Sequence, residues 1–183
     1  PDALDALFDV CNALLDQGVQ GKDIILSGDS CGANLALALA LKIQKEKCQQ
    51  VSGLILLSPF VDLTLTSESL RYNQTHDALL SIEALEAGID YYLPRRIARD
   101  DPEVSPYFAD LSGLPPIHIQ VGSKEILLDD AQRLKDKAEK DKVDVEFKIY
   151  TGMWHNFQLF GWFNEAKQAL ADLSEFAHAV DVD

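Results

Sequence analysis

A serine stands between two glycines at Gly28-Asp29-Ser30-Cys31-Gly32, the pattern that presents a nucleophilic hydroxyl on a sharp turn. Five residues recur by chance, so the flanks decide. Asp23-Ile24-Ile25-Leu26-Ser27 precedes them as a short apolar run that reads as a buried strand. Beyond them Leu35, Ala36, Leu39, Ala40 and Ile43 recur at helical spacing, predicting a helix from Ser30 to about Lys47. Strand, turn and helix are the setting that nucleophilic catalysis by serine requires. The hydroxyl projects beyond the strand end, and small residues two before and two after it let neighbouring elements approach. The helix N-terminus points at the reacting atoms, and the backbone N–H of Cys31 becomes a donor for a developing oxyanion. A serine that only caps a helix after a glycine turn is the bland alternative.

A serine hydroxyl needs a base, and histidine serves near neutral pH. There are four histidines. His118 alternates with Ile117 and Ile119 in a strand that should be buried, His178 falls on the closing helix, and His76 sits in an irregular segment. His155 lies in Gly152-Met153-Trp154-His155-Asn156-Phe157, just past a strand ending at Tyr150. That is the end of a strand at which open α/β sheets bind ligands. The order nucleophile, acid, base along the chain also requires the base last, so His155 is the candidate. The carboxylate that orients it belongs on the loop after strand Ile117–Val121, where Glu125 closes Gly122-Ser123-Lys124-Glu125. Asp129 and Asp130 lie a turn into the next helix and are aimed less easily at a loop histidine; Asp129 is the rival acid. A carboxylate that merely favours a helix dipole is the other role open to Glu125.

These residues need a scaffold, and the remaining pattern supplies one. Helices are predicted from Ala3 to Leu15, Ser81 to Tyr92, Ile126 to Lys140 and Glu165 to His178, with further strands over Val51–Ser58, Ile117–Val121 and Val143–Tyr150. Alternating strands and helices mean an α/β architecture with a parallel or mostly parallel sheet and helices on its faces. Residues from roughly Asp62 to Pro106 break the alternation and read as an insertion. At 183 residues, 47% apolar and 25% charged, the chain has enough material for one ordinary core. A net charge of −14 argues against nucleic acid or anionic membrane as a partner, since phosphates are held by clustered Lys and Arg. No apolar run approaches the roughly 18 residues of a spanning helix. Cys11, Cys31 and Cys48 show no metal-ligand spacing, and an odd count fits free thiols in a reducing, cytoplasmic setting. No metal is expected.

With these pieces in hand, the chain resembles the hormone-sensitive-lipase-like branch of the α/β hydrolases, bacterial esterases with a Gly-Asp-Ser-Ala-Gly turn. The resemblance rests on Gly28 to Leu35, Ser58-Pro59-Phe60-Val61-Asp62-Leu63-Thr64, Ser105-Pro106, Leu114-Pro115-Pro116, Gln120-Val121-Gly122, Glu125 to Asp130 and Gly152 to Phe157. Cys31 stands where the branch usually has Ala, and Glu125 where many members have Asp. No His-Gly-Gly loop, the branch's source of further oxyanion donors, precedes Gly28. The resemblance therefore implies the C-terminal part of one α/β-hydrolase catalytic domain over 1–183. The first strands would be absent, leaving Asp23–Ser27 as an open edge. It implies hydrolysis of short-chain acyl esters with Ser30 as nucleophile, His155 as base, Glu125 as orienting acid and the Cys31 N–H as oxyanion donor. No cofactor is implied. Residues 64–102 would contribute to a cap and acyl pocket, with Tyr91, Tyr92 and Phe157 as lining candidates for which core packing is the alternative. A homodimer pairing through Val143–Tyr150 is also implied, or a second chain supplying the missing N-terminal half. Amide or thioester hydrolysis by the same residues, an inactive fragment, and a non-catalytic module on this fold remain the competing readings.

Overall fold

Four apolar runs become four parallel strands in the computed structural model, which describes residues 2–180; Pro1 and residues 181–183 lie outside it. Strands β1 (Ile25–Asp29), β2 (Gly53–Leu57), β3 (Ile117–Gly122) and β4 (Val145–Tyr150) lie side by side in chain order. Parallel neighbours need long crossovers. Helix α2 (Cys31–Lys45) links β1 to β2, and the link from β2 to β3 carries α3 (Ser69–Tyr72) and α4 (Ile82–Tyr92). Helix α5 (Leu128–Lys140) links β3 to β4; α1 (Asp2–Asp16) packs on α2, and α6 (Asn164–Val180) closes the described chain against β2 and β3.

Four element starts fall two residues later than the sequence expectation: β1, β2, β4 and α5, and two of them, those of β1 and α5, bear on the site. β1 begins at Ile25 and continues through Gly28 and Asp29, because its ladder to β2 pairs Gly28 with Leu56 and Asp29 with Leu57. The strand therefore reaches the serine itself. Asp23 instead ends a short 3₁₀ turn. Helix α5 starts at Leu128 rather than Ile126, leaving Glu125 in a loop.

Period-two alternation sorts β3 onto two faces. Ile117, Ile119 and Val121 join Leu54, Leu56, Leu37, Ile43 and Leu134 in the main core between sheet, α2 and α5. His118 and Gln120 point the other way, where the His118 ring meets Phe176 at 5.3 Å and Gln120 Nε2 donates to the Ala169 carbonyl at 2.9 Å. That amide nitrogen also sits 3.0 Å from His118 Nε2, so the imidazole accepts there and carries its proton on Nδ1. Burial pushes the ring's pKa down, and the neighbouring Glu146 opposes that only in part. His118 is a neutral core histidine.

The inserted segment packs a smaller core of its own, in which Phe60, Leu63, Leu70, Leu85, Ile89 and Val104 meet Ile126 and Leu127. Its two ends are tied by one side chain, since Asn34 Nδ2 donates to the carbonyls of Phe60 and Val104, both at 2.9 Å. Asp62, buried at the start of the segment, accepts from Thr64, Thr66 and Arg133. Among the described residues β1 has a neighbour on one side only, so its outer edge is open.

Candidate active site

The C-terminal ends of β1, β3 and β4 converge, and each carries one candidate residue on the loop that leaves it. Ser30 follows β1 with φ 54° and ψ −116°, a conformation that costs a non-glycine residue about 1–3 kcal/mol. Its N–H donates to Leu57 at 2.9 Å, and its carbonyl accepts from Phe60 at 3.2 Å, so both sides of the turn are held. The turn is tight at one glycine only. A Cβ on Gly28 would lie 2.2 Å from the Gly32 carbonyl oxygen, whereas one on Gly32 would meet nothing nearer than Asp29 Oδ1 at 3.9 Å. The expectation that both small residues are needed is corrected to the first, because Gly32 faces outward from the crossing of β1 and α2.

Ser30 Oγ lies 3.1 Å from His155 Nε2, and His155 Nδ1 lies 3.1 Å from Glu125 Oε2. An ionised carboxylate only accepts, so the Nδ1 proton points at Glu125 and Nε2 is left to accept from the serine hydroxyl. Glu125 is fully buried. A buried carboxylate must be hydrogen-bonded, and the other oxygen of Glu125 receives Ser58 Oγ at 2.8 Å and the Gly122 N–H at 2.5 Å. Ser58 is itself buried at the tip of β2 with φ 46°. The loops that carry Glu125 and His155 are also laced together: Gly152 N–H donates to Ser123 Oγ at 2.8 Å, and Lys124 N–H to the Met153 carbonyl at 2.9 Å.

Cys31 opens α2, so its N–H has no acceptor within the helix and is free to face a developing negative charge beside Ser30. Its thiol is exposed and unpaired. Next to Ser30 and Cys31 opens a cavity of about 320 Å³ walled by Leu35, Phe60, Leu63, Leu85, Ile89 and Tyr92. Burial raises the pKa of the Tyr92 hydroxyl, which makes no hydrogen bond. A larger groove of about 600 Å³ between α1, α2 and the 102–112 segment shares no wall with Ser30, His155 or Glu125 and is rimmed by charged side chains such as Asp5, Lys42 and Glu103.

The other candidates are dispersed. Tyr91 is 96% exposed and is not part of the cavity wall, because one step along α4 turns it about 100° from Tyr92. Phe157 is fully buried against Tyr150, with ring centroids 4.9 Å apart, and packs the loop that carries His155. Asp129 faces the insertion, accepting from Ser69 N–H at 2.8 Å and Tyr72 Oη at 2.7 Å. His76 and His178 bond carbonyls one turn back in their own segments. Sequence reasoning did not single out Ser58, although its place before Pro59 at a strand end marked it, nor the bridge from Asn156 Nδ2 to Asp29 at 2.9 Å. Among the described residues no three His, Cys, Asp or Glu side chains are grouped to hold a metal ion, and no helix is long and apolar enough to cross a membrane.

A family model described as the alpha/beta hydrolase fold matches residues 1–159. An esterase of Acinetobacter venetianus is 65% identical over 184 residues, covering 100% of this chain and 61% of its own length. The crystal structure of EstE7, a hormone-sensitive-lipase homologue from a metagenome library, superposes with a TM-score of 0.95 at 37% identity, over 100% of this chain and 63% of that one. A hormone-sensitive lipase from a metagenome library superposes with a TM-score of 0.91 at 38% identity, over 99% and 60%. The chain belongs to the alpha/beta hydrolase family, within its hormone-sensitive-lipase-like branch. It spans about 60% of the length of these relatives.

Proposed function

We propose that the protein carrying this chain is a carboxylic-ester hydrolase that works through an acyl-enzyme on Ser30. What supports the reading above all is the unbroken chain of contacts from Ser30 Oγ through His155 to buried Glu125, set at the mouth of an apolar cavity. Ser30 Oγ attacks the acyl carbonyl while His155 Nε2 takes its proton, and Glu125 holds the imidazole and balances the charge it gains. The carbonyl oxygen becomes an oxyanion facing the Cys31 N–H. Collapse breaks the bond to the alcohol, which leaves with the proton from His155. Water then repeats the sequence on the acyl-enzyme and frees the acid. The cavity lies near the lower end of the range for small-molecule sites, which favours short acyl chains.

A serine-directed fluorophosphonate tests the proposal on the full gene product. Covalent labelling on Ser30, lost in Ser30→Ala together with hydrolysis of p-nitrophenyl butyrate, is expected. Labelling elsewhere, or ester hydrolysis surviving in Ser30→Ala, refutes it. A panel with matched amide and thioester substrates separates ester hydrolysis from the other acyl transfers.

A further inference from the structure

We propose that Asp77, in the inserted segment, is a positioning residue that sets the alignment of His155 with Glu125 and ties it to the wall of the acyl cavity. The inference rests on the proposed role of the Ser30, His155 and Glu125 chain. Asp77 sits between α3 and α4, in a polar stretch with no periodicity. Its carboxylate receives four backbone N–H groups. Oδ1 accepts from Leu79 at 3.2 Å, Leu80 at 3.3 Å and His155 at 3.3 Å, and Oδ2 accepts from Ile126 at 3.0 Å. Two of these donors lie in its own turn. The other two belong to the base itself and to the residue directly after the acid.

A second side chain of the same turn completes the grip. Asn73 Nδ2 donates to the Glu125 carbonyl at 2.9 Å and to the Ser123 carbonyl at 3.2 Å, while the Asp77 N–H donates to the Asn73 carbonyl at 3.0 Å. Carbonyls before and at Glu125 are thus held by an amide, and the N–H after it by a carboxylate. A turn that served only to start α4 would need the bonds to Leu79 and Leu80 and none of the others. The helix that follows carries Leu85, Ile89 and Tyr92 into the cavity wall. Asp77 therefore connects the seating of that wall to the backbone on which both His155 and Glu125 stand.

Only a group that accepts on both oxygens satisfies donors from three loops at once. In Asp77→Asn one of the two positions becomes an N–H₂ donor facing a backbone N–H, so one side of the bridge opens while volume is kept. The experiment is a double-mutant cycle of D77N and E125Q in the full gene product, read by kcat and KM on p-nitrophenyl butyrate. D77N alone is expected to lower kcat about 10- to 100-fold with KM changed less than about threefold, the size of loss that follows a misplaced catalytic group. In the E125Q background the same substitution is expected to cost less than about threefold, because there is no longer an ionised acid to align. An equal factor in both backgrounds assigns Asp77 to general scaffolding and overturns the inference, as does an unchanged kcat in D77N. If E125Q alone leaves kcat unaltered while D77N reduces it, the reading of Glu125 has failed, and this inference falls with it. A second readout does not need activity. The low-field proton resonance of His155 Nδ1–H is expected to be sharp in the parent and broadened in D77N; persistence of the sharp signal overturns the inference. Should D77N not fold, N73A loosens the same clamp from its other end, and the same pattern across the cycle is required.

Discussion

Replacing Gly28 by alanine tests whether the tight crossing of β1 and α2 places the serine. The added methyl would stand 2.2 Å from the Gly32 oxygen, 2.3 Å from its carbonyl carbon and 2.7 Å from the Ala33 nitrogen. Comfortable carbon contacts begin near 3.5 Å, so about 1 Å of movement is needed. All three atoms are backbone in the first turn of α2, and no side-chain rotation relieves the contact. On the other side Gly28 is held in the ladder opposite Leu56. Ser30 lies between these two constraints and takes the displacement. Its 3.1 Å contact with His155 lengthened by about 1 Å is no longer a hydrogen bond. A misplacement of that size costs about 100-fold in kcat, and overpacking costs a further ~1–3 kcal/mol of stability. Gly32→Ala is the matched control, since its Cβ would make only an ordinary contact with Asp29 Oδ1 at 3.9 Å and it lies in the first turn of α2. It should keep kcat within about threefold. Steady-state hydrolysis of p-nitrophenyl butyrate, the rate of phosphonate labelling and thermal unfolding read the two variants side by side. Full activity in Gly28→Ala, or equal damage from Gly32→Ala, refutes the reasoning.

Two further outcomes follow from other parts of the structure. Burial pushes the Asp130 carboxyl from its ordinary 3.8 up to about 7, its hydrogen bond from Ser67 opposing the rise and nearby Asp62 adding to it. Between those two pH values the folded protein keeps a proton that the unfolded chain releases, so this group makes stability fall as pH rises through that window, by at most ~4 kcal/mol. Asp130→Asn should flatten that slope and raise the thermal midpoint at pH 8; an unchanged pH dependence of unfolding counts against it. Gly88 lines the apolar cavity beside Ser30, and a Cβ there would meet no atom within 4 Å. Gly88→Leu should therefore fill the cavity and lower kcat/KM for butyrate esters at least tenfold while acetate esters lose less than about threefold. An equal loss on both would remove this cavity from the acyl-binding role.

Much of the site was legible in the chain because its pieces are local. Strand, glycine and serine, and helix succeed one another without a break from Ile25 to Lys45, and periodicity announces strand and helix. Glu125 and His155 stand out as candidates by the same means, since each lies on a loop directly after a recognisable strand. The all-parallel order of the four strands also follows from alternation with helices.

What escaped the sequence is contact between segments that periodicity does not relate. Ser58 meets Glu125 across 67 residues, and Asp77 meets His155 across 78, each through a short polar side chain of a kind common in loops. Nothing in a single chain marks which loop carboxylate will gather four backbone donors. Tyr91 and Tyr92 looked equivalent until the packing of Leu85 and Ile89 fixed the rotation of α4 and sent one to solvent and the other to the cavity. The two glycines flanking Ser30 looked equally necessary, and only the crossing of β1 over α2 shows that the first alone is crowded. Residue types and their order therefore determined the chemistry available to this protein. Tertiary packing decided which groups hold that chemistry in place, because hydrogen bonds and close contacts depend on distances in space that spacing along the chain does not encode.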